Sequence, residues 1–143
     1  MAGGLNSGVF GAGAPISASN IGDVSGVVLL SVPCAASVFV GAAVRMSGVN
    51  AINALADDLT NSNVIGFAYL KPTTTTCHIR VSGITDGIFT GLDLTKEYFL
   101  SDTVDGEITT TIPTAAGHVV YRLGIPFTAT RLVVDKSGRS VRA

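Results

Sequence analysis

The stretch CHIRVS at residues 77–82 alternates apolar and polar side chains. In an extended chain, successive side chains point to opposite faces, so Cys77, Ile79 and Val81 share one face of a strand. The polar residues of the stretch share the other face, which we expect to contact water. The stretch therefore predicts a β-strand with one buried and one wet face.

Similar short apolar runs, separated by Gly and Pro residues, recur along the chain. They are rich in the β-branched and aromatic residues that favour strands. Helical periodicity is nowhere sustained, and the one helical candidate, residues 55–61, is short enough to be a turn. We predict strands at 27–32, 38–46, 51–55, 64–70, 77–82, 97–101, 107–111, 118–123 and 131–135.

Two dipeptides carry hairpin signals. Asp105-Gly106 separates two predicted strands, and Asp86-Gly87 follows the strand at 77–82. Because the connections are too short for crossover helices, we expect an all-β fold, a small antiparallel barrel or sandwich. It would occupy residues 26–136, between an extended Gly-rich N-terminal arm at 1–25 and a short basic C-terminal tail at 137–143.

The N-terminal arm is almost uncharged. Asp23 is the one charged side chain before Arg45, and the Gly-rich opening has neither the basic region nor the apolar core of a signal peptide. No unbroken apolar run reaches the roughly 18 residues of a membrane span. We therefore expect the arm to lie against another protein surface. The candidate interface residues are its large apolar residues and one proline: Leu5, Val9, Phe10, Pro15, Ile16 and Ile21.

Composition indicates an assembly. Charged residues make up only 13% of the chain, hydrophobic residues 47%, and the net charge is −1. Little electrostatic repulsion keeps copies of such a chain apart, so we expect self-association. The nine Lys and Arg residues are scattered rather than gathered in a basic stripe, which argues against a nucleic-acid partner.

The cysteines and histidines form no recognisable site in the sequence. Cys34 and Cys77 are too few for a disulfide scaffold and lack CxxC spacing. We interpret them as small buried hydrophobes, and a single bridge between them stays open. No zinc motif contains His78 or His118, which we interpret as surface or interface polar residues.

The sequence also lacks motifs for calcium binding, serine nucleophiles and phosphate binding. Asp57-Asp58 lies in a polar segment whose side chains suit turn hydrogen bonds, and it lacks the spacing of a calcium loop. No GxSxG elbow is present, and no phosphate-binding lysine motif follows the N-terminal glycines. We therefore expect no catalytic, cofactor-binding or metal-binding residues.

The order of several short motifs resembles the small virion proteins of tailed bacteriophages, both head-decoration (cement) proteins and β-domains attached to phage fibres. The resemblance covers roughly residues 38–134 and marks turns and core faces rather than catalytic residues. Its motifs are VGAAVR (40–45), ALAD (54–57), VIGF (64–67), GLD (91–93), YFLS (98–101), TTTIP (109–113), GHVV (117–120) and LG (123–124).

This resemblance implies a non-enzymatic structural protein on the capsid surface of the virion, assembled in the host cytoplasm. Its expected partners are the major capsid protein and copies of itself, which we expect to form a homotrimer, with no membrane or small-molecule substrate. The alternative is a tail fibre, collar or baseplate component involved in attachment. An enzyme ranks third, and would require a pocket lined by Asp57, Asp58 or His78.

Overall fold

The computed structural model describes residues 26–143, which form two five-stranded antiparallel sheets without a helix in that range. The expected all-β fold class is confirmed. The first sheet has the order β1-β5-β4-β2-β3 and the second β6-β10-β9-β7-β8. The strands are β1 (Val28–Pro33), β2 (Ala43–Ser47), β3 (Asn50–Asn53), β4 (Gly66–Thr73), β5 (Thr76–Arg80), β6 (Gly83–Ile84), β7 (Tyr98–Leu100), β8 (Ile108–Thr109), β9 (Val119–Pro126) and β10 (Leu132–Val141).

The predicted strand at 38–46 is wrong in its first half, since β2 begins only at Ala43. Gly41 has φ of +97°, a left-handed conformation that turns the chain before the strand. A Cβ atom at Gly41 would also lie 3.1 Å from the carbonyl oxygen of Ile88, so the two loops approach closely there. The short strand β6 has no counterpart among the predictions.

One of the two hairpin signals is confirmed. Asp105-Gly106 lies between β7 and β8, which pair antiparallel, and Gly106 has φ of +78°. Asp86-Gly87 does not connect paired strands, because after β5 the chain leaves the first sheet and β6 pairs with β10. The expected hairpin at this dipeptide is therefore wrong.

The main hydrophobic core lies between the two sheets. Phe67 of β4 is fully buried there with Leu100, Leu123 and Leu132 of the second sheet. The Phe67 ring meets that of Phe89 edge to face, with centroids 5.6 Å apart. Large apolar side chains from both sheets thus fill this layer.

The first sheet curls around a second, separate cluster. Cys34, just after β1, forms a parallel bridge with Ala51 of the opposite edge strand β3, and the Ala35 N–H donates to the Ala51 carbonyl at 3.0 Å. Since neighbouring strand residues face opposite sides, Phe67 points to the second sheet and Ala68 into the curl. The buried residues inside the curl are Cys34, Val38, Ala42, Val44, Ala51, Ala68, Cys77 and Ile79.

The polar face of residues 77–82 is only partly exposed, whereas the sequence predicts a wet face. Arg80 pairs with Phe67 in the β4–β5 ladder and so shares the face that points to the second sheet. Its guanidinium lies 5.6 Å above the Tyr69 ring and 3.8 Å from Asp86. Nδ1 of His78 accepts a hydrogen bond from the Ser31 N–H at 2.9 Å. Both faces of this strand are covered because its sheet curls on one side and packs on the other.

The last strand extends through most of the segment expected as a tail. β10 runs to Val141 and stays paired with β9, for example at Val119↔Val141. Within that segment, Arg139 donates to the Leu59 carbonyl at 3.2 Å and lies over the Tyr121 ring. These contacts join β10 to the loop between β3 and β4.

Candidate functional site

The curled sheet opens at one end into an apolar cleft of about 660 Å³, here called the apolar mouth. It lies at the start of β1 and just after β5, and it extends to Met46, which pairs with Ala51 in the β2–β3 ladder. Every side chain that lines it is apolar. The lining residues are Val27, Val28, Leu29, Leu30, Val32, Met46, Ile65 and Val81.

The local path of β1 explains why the mouth is exposed. β1 is an edge strand, and among the described residues it forms a ladder with β5 alone. The ladder is irregular between Leu29 and Val32, where Ser31 adopts a positive φ of 53°. This bulge leaves the Leu30 side chain 63% exposed. An exposed apolar edge of this kind is a ready surface for another protein segment.

Charged groups near the mouth are engaged elsewhere. Arg80 lies beside Asp86 on the other side of the sheet. The Lys136 ammonium donates to the carbonyl oxygen of Ile65 at 2.8 Å, and burial lowers the pKa of Lys136. Recognition at the apolar mouth therefore has to come from hydrophobic contact and from backbone pairing along β1.

A smaller cavity of about 280 Å³ opens between the sheets. Phe39, Phe89 and Tyr98 contribute aromatic walls and Glu107 a carboxylate. The Tyr98 hydroxyl is already engaged, since it accepts a hydrogen bond from the Asp93 N–H at 2.8 Å. This volume falls just below the roughly 300–1,000 Å³ typical of small-molecule sites, so the apolar mouth is the stronger candidate.

The two cysteines are free and buried inside the curl. Burial, together with a hydrogen bond to Cys34, raises the pKa of the Cys77 thiol to about 12. Because the thiolate is the reactive form, Cys77 is chemically inert at neutral pH. Its position fits the interpretation of a small hydrophobic core residue.

The structure pairs His118 with Asp102, which the sequence analysis missed. Nδ1 of His118 lies 2.9 Å from Oδ2 of Asp102, across a separation of 16 residues. Short sequence motifs do not relate these two residues, because Asp102 follows β7 and His118 comes just before β9. His78, by contrast, is engaged by the β1 backbone as described above.

Asp57 and Asp58 serve the turn, as the sequence predicted. Asp58 accepts a hydrogen bond from the Asn61 N–H at 2.7 Å, and Asp57 accepts one from the Asn61 side-chain amide at 2.9 Å. Within residues 26–143, no group of three or more His, Cys, Asp or Glu side chains is arranged to hold a metal ion. No helix in the same range has the length and hydropathy to cross a membrane.

The sequence-predicted interface residues lie outside the described residues: Leu5, Val9, Phe10, Pro15, Ile16 and Ile21. The apolar mouth was not predicted. A signal for it exists in GVVLL at residues 26–30, where four consecutive apolar side chains break the alternation of a half-wet strand. Such a run places apolar groups on both faces of an edge strand.

Comparison with known proteins found no matching family model, no matching curated protein and no matching solved structure.

Proposed function

We propose that this protein is a non-enzymatic structural component of a tailed-bacteriophage particle, a decoration (cement) protein that binds the outer surface of the capsid. The observation that carries the proposal is the apolar mouth. Its eight lining side chains are all apolar and several are largely exposed among the described residues. The virion setting comes from the sequence motifs, which resemble those of phage decoration proteins and fibre domains.

Burial of the mouth supplies the driving force for assembly. Covering one exposed Leu or Val side chain contributes about 1.5–3 kcal/mol before the entropic cost of association. Because the mouth residues are at most 63% exposed, each contributes less than this, and contacts with several of them are needed for binding. The proposed partners are the major capsid protein and other copies of this chain.

A closed oligomer, which we propose to be a homotrimer, fits both the low charge and the shape of the site. The whole chain has a net charge of −1, so copies approach without strong repulsion. A mouth that binds a different surface of the next copy makes contacts between unlike surfaces, which form a ring when the rotation between copies closes. A ring of three matches the local three-fold positions of a capsid lattice.

The shell is stabilised by mass action. A protein that binds the assembled shell in preference to its separate subunits shifts the equilibrium toward the shell. At a free concentration of 100 times the dissociation constant, each site adds about 2.7 kcal/mol. Many such sites on one capsid raise its resistance to heat and internal pressure.

Heat-release curves of complete and depleted particles test this function. Particles that lack the protein should assemble but release their genome at a lower temperature, and adding back purified protein should restore the curve. Bovine serum albumin at the same concentration is the control for nonspecific protection. Superimposed curves for complete and depleted particles would refute the decoration role.

The alternative is a tail fibre, collar or baseplate component, in which the mouth would hold another tail protein. Quantitative mass spectrometry of purified particles separates the two. A decoration protein should approach the copy number of the capsid subunit, whereas a tail component should be far rarer. Loss of adsorption to host cells with unchanged heat release would favour the tail role.

A further inference from the structure

We propose that the apolar mouth of one copy binds the N-terminal segment, residues 1–25, of a neighbouring copy, so that exchanged arms hold the oligomer together. The inference rests on the oligomeric assembly proposed above and names the partner at its site. Three observations carry it: the shape and chemistry of the mouth, the composition of the segment, and the position of Gly26, where the described chain begins.

The mouth requires an extended apolar occupant. It is concave, and two mouths facing each other across a two-fold axis would leave a void between them. A protruding segment fills a concavity, and the edge of β1 that forms no ladder with another described strand offers it backbone hydrogen bonds. A charged segment would find no ionic partner, because the lining is entirely apolar.

Residues 1–25 have the composition that the mouth requires. Asp23 is their one charged side chain, and glycines are frequent enough to let the backbone approach another strand closely. Phe10, Ile16 and Ile21 supply large apolar side chains for the lining, which includes Leu30 and Met46.

The described chain begins at the rim of the mouth. Val27 lines it, and the Val27 N–H donates to the hydroxyl of Ser82 at 3.0 Å. An extended segment gains about 3.3 Å per residue, so residues 1–25 reach up to roughly 80 Å. A sheet of five strands is only about 20 Å wide. The segment is therefore long enough to reach a neighbouring domain.

The direction of β1 favours a neighbouring copy over the segment's own domain. If the segment kept the direction of β1 beyond Gly26, it would pass the end of its own sheet and would have to reverse to enter its own mouth. Entry into a neighbour's mouth needs no reversal. It also joins two unlike surfaces, an arrangement compatible with a ring of copies.

A photo-crosslinking experiment tests the occupant and its source. The full chain, with p-benzoylphenylalanine in place of Phe10, is prepared in ¹⁴N and ¹⁵N forms, mixed, unfolded, refolded together and irradiated. Crosslinks should join the arm to peptides that contain residues 27–32 or Met46, with light–heavy pairs present. Crosslinks only within one chain, or only to peptides that do not line the mouth, would overturn the proposal.

A matched pair of surface variants gives a second readout by sedimentation. Leu30 lines the mouth and is 63% exposed, whereas Leu94 lies outside it and is 60% exposed. Leu30→Lys should weaken self-association by more than about tenfold, and Leu94→Lys should leave it unchanged. Equal effects would contradict the proposal, and unfolding curves check that both variants fold. Phe10→Asp, which leaves the described sandwich unaltered in sequence, should act like Leu30→Lys.

Failure of the exchange is distinguishable from failure of the proposed function. If light–heavy crosslinks form at the mouth but the heat-release curves are unchanged, the arm exchange is supported and the decoration role is refuted. If the heat-release curves shift but no crosslink forms at the mouth, the decoration role is supported and the arm exchange is refuted.

Discussion

The two hydrophobic clusters of this domain differ in the size of their side chains and in their closure. Phe, Tyr and Leu side chains dominate the layer between the sheets, whereas Ala, Cys and Val dominate the interior of the curl. The first opens only into the smaller cavity of about 280 Å³, and the second opens into the apolar mouth of about 660 Å³. The layer between the sheets therefore holds the larger buried side chains, and the curl leaves apolar surface exposed at the mouth.

The ion pairs also differ between the two sheets: Arg122 of the second binds two carboxylates, whereas Arg80 of the first has one longer contact, 3.8 Å from Asp86. Arg122 on β9 binds Glu97 and Asp135, and His118 pairs with Asp102, all around the second sheet. The mouth of the first sheet has an entirely apolar lining. The shortest ion pairs of the described residues therefore lie away from the apolar mouth.

The largest expected effect comes from truncation in the layer between the sheets. Phe67→Ala removes a fully buried ring and its contact with Phe89, and should lower the free energy of unfolding by about 3–5 kcal/mol. Phe127→Ala, at a ring that is 55% exposed, should cost less than about 0.5 kcal/mol. Urea unfolding measures both. Similar losses for the two variants would refute the division between a stabilising layer and exposed apolar surface.

The next largest loss of stability is expected where the backbones of β4 and β5 approach each other closely. A Cβ atom at Gly66 would lie 2.2 Å from the Arg80 carbonyl oxygen, so Gly66→Ala must displace a strand that lines the curl. We expect a loss of about 3 kcal/mol, at the upper end of the cost of overpacking. Gly87→Ala is the control, because its nearest contact would be the Thr130 side chain at 3.5 Å. If thermal melting shows Gly66→Ala to be as stable as Gly87→Ala, the β4–β5 ladder accommodates a Cβ atom at residue 66 without strain.

The sequence predicted what depends on local pattern. Alternation located most strands, and Asp105-Gly106 identified the β7–β8 hairpin. The curl could not be predicted, because it depends on Cys34 meeting Ala51, a contact that neither local sequence specifies. The same applies to the pairing of His118 with Asp102 across 16 residues. The apolar mouth follows from the curl, so it too was missed.

A pH titration probes the interior of the curl directly. The Cys77 thiol has its pKa raised by burial from 9.0 to about 12, so the folded protein keeps this proton where the unfolded chain loses it. The contribution of Cys77 to stability should therefore be constant below about pH 9 and fall by about 1 kcal/mol per pH unit between pH 9 and about 12. Cys77→Ala should flatten this slope relative to the parent chain. An unchanged slope in that variant would show that the thiol is accessible to water.

The smallest expected effect concerns the charged side of the comparison, the Arg122 cluster. Nη2 of Arg122 lies 2.6 Å from Oδ2 of Asp135, and Nη1 lies 3.3 Å from Oε2 of Glu97. Both carboxylates are about half exposed, so solvent weakens each pair to about 0.2–1 kcal/mol. The shorter contact should contribute more, and Asp135→Asn should therefore cost more stability than Glu97→Gln. Because salt screens exposed charges, the difference should shrink in about 1 M NaCl. Urea unfolding at low and high salt measures it, and a difference that persists at high salt would mean that packing rather than charge holds Asp135 against β9.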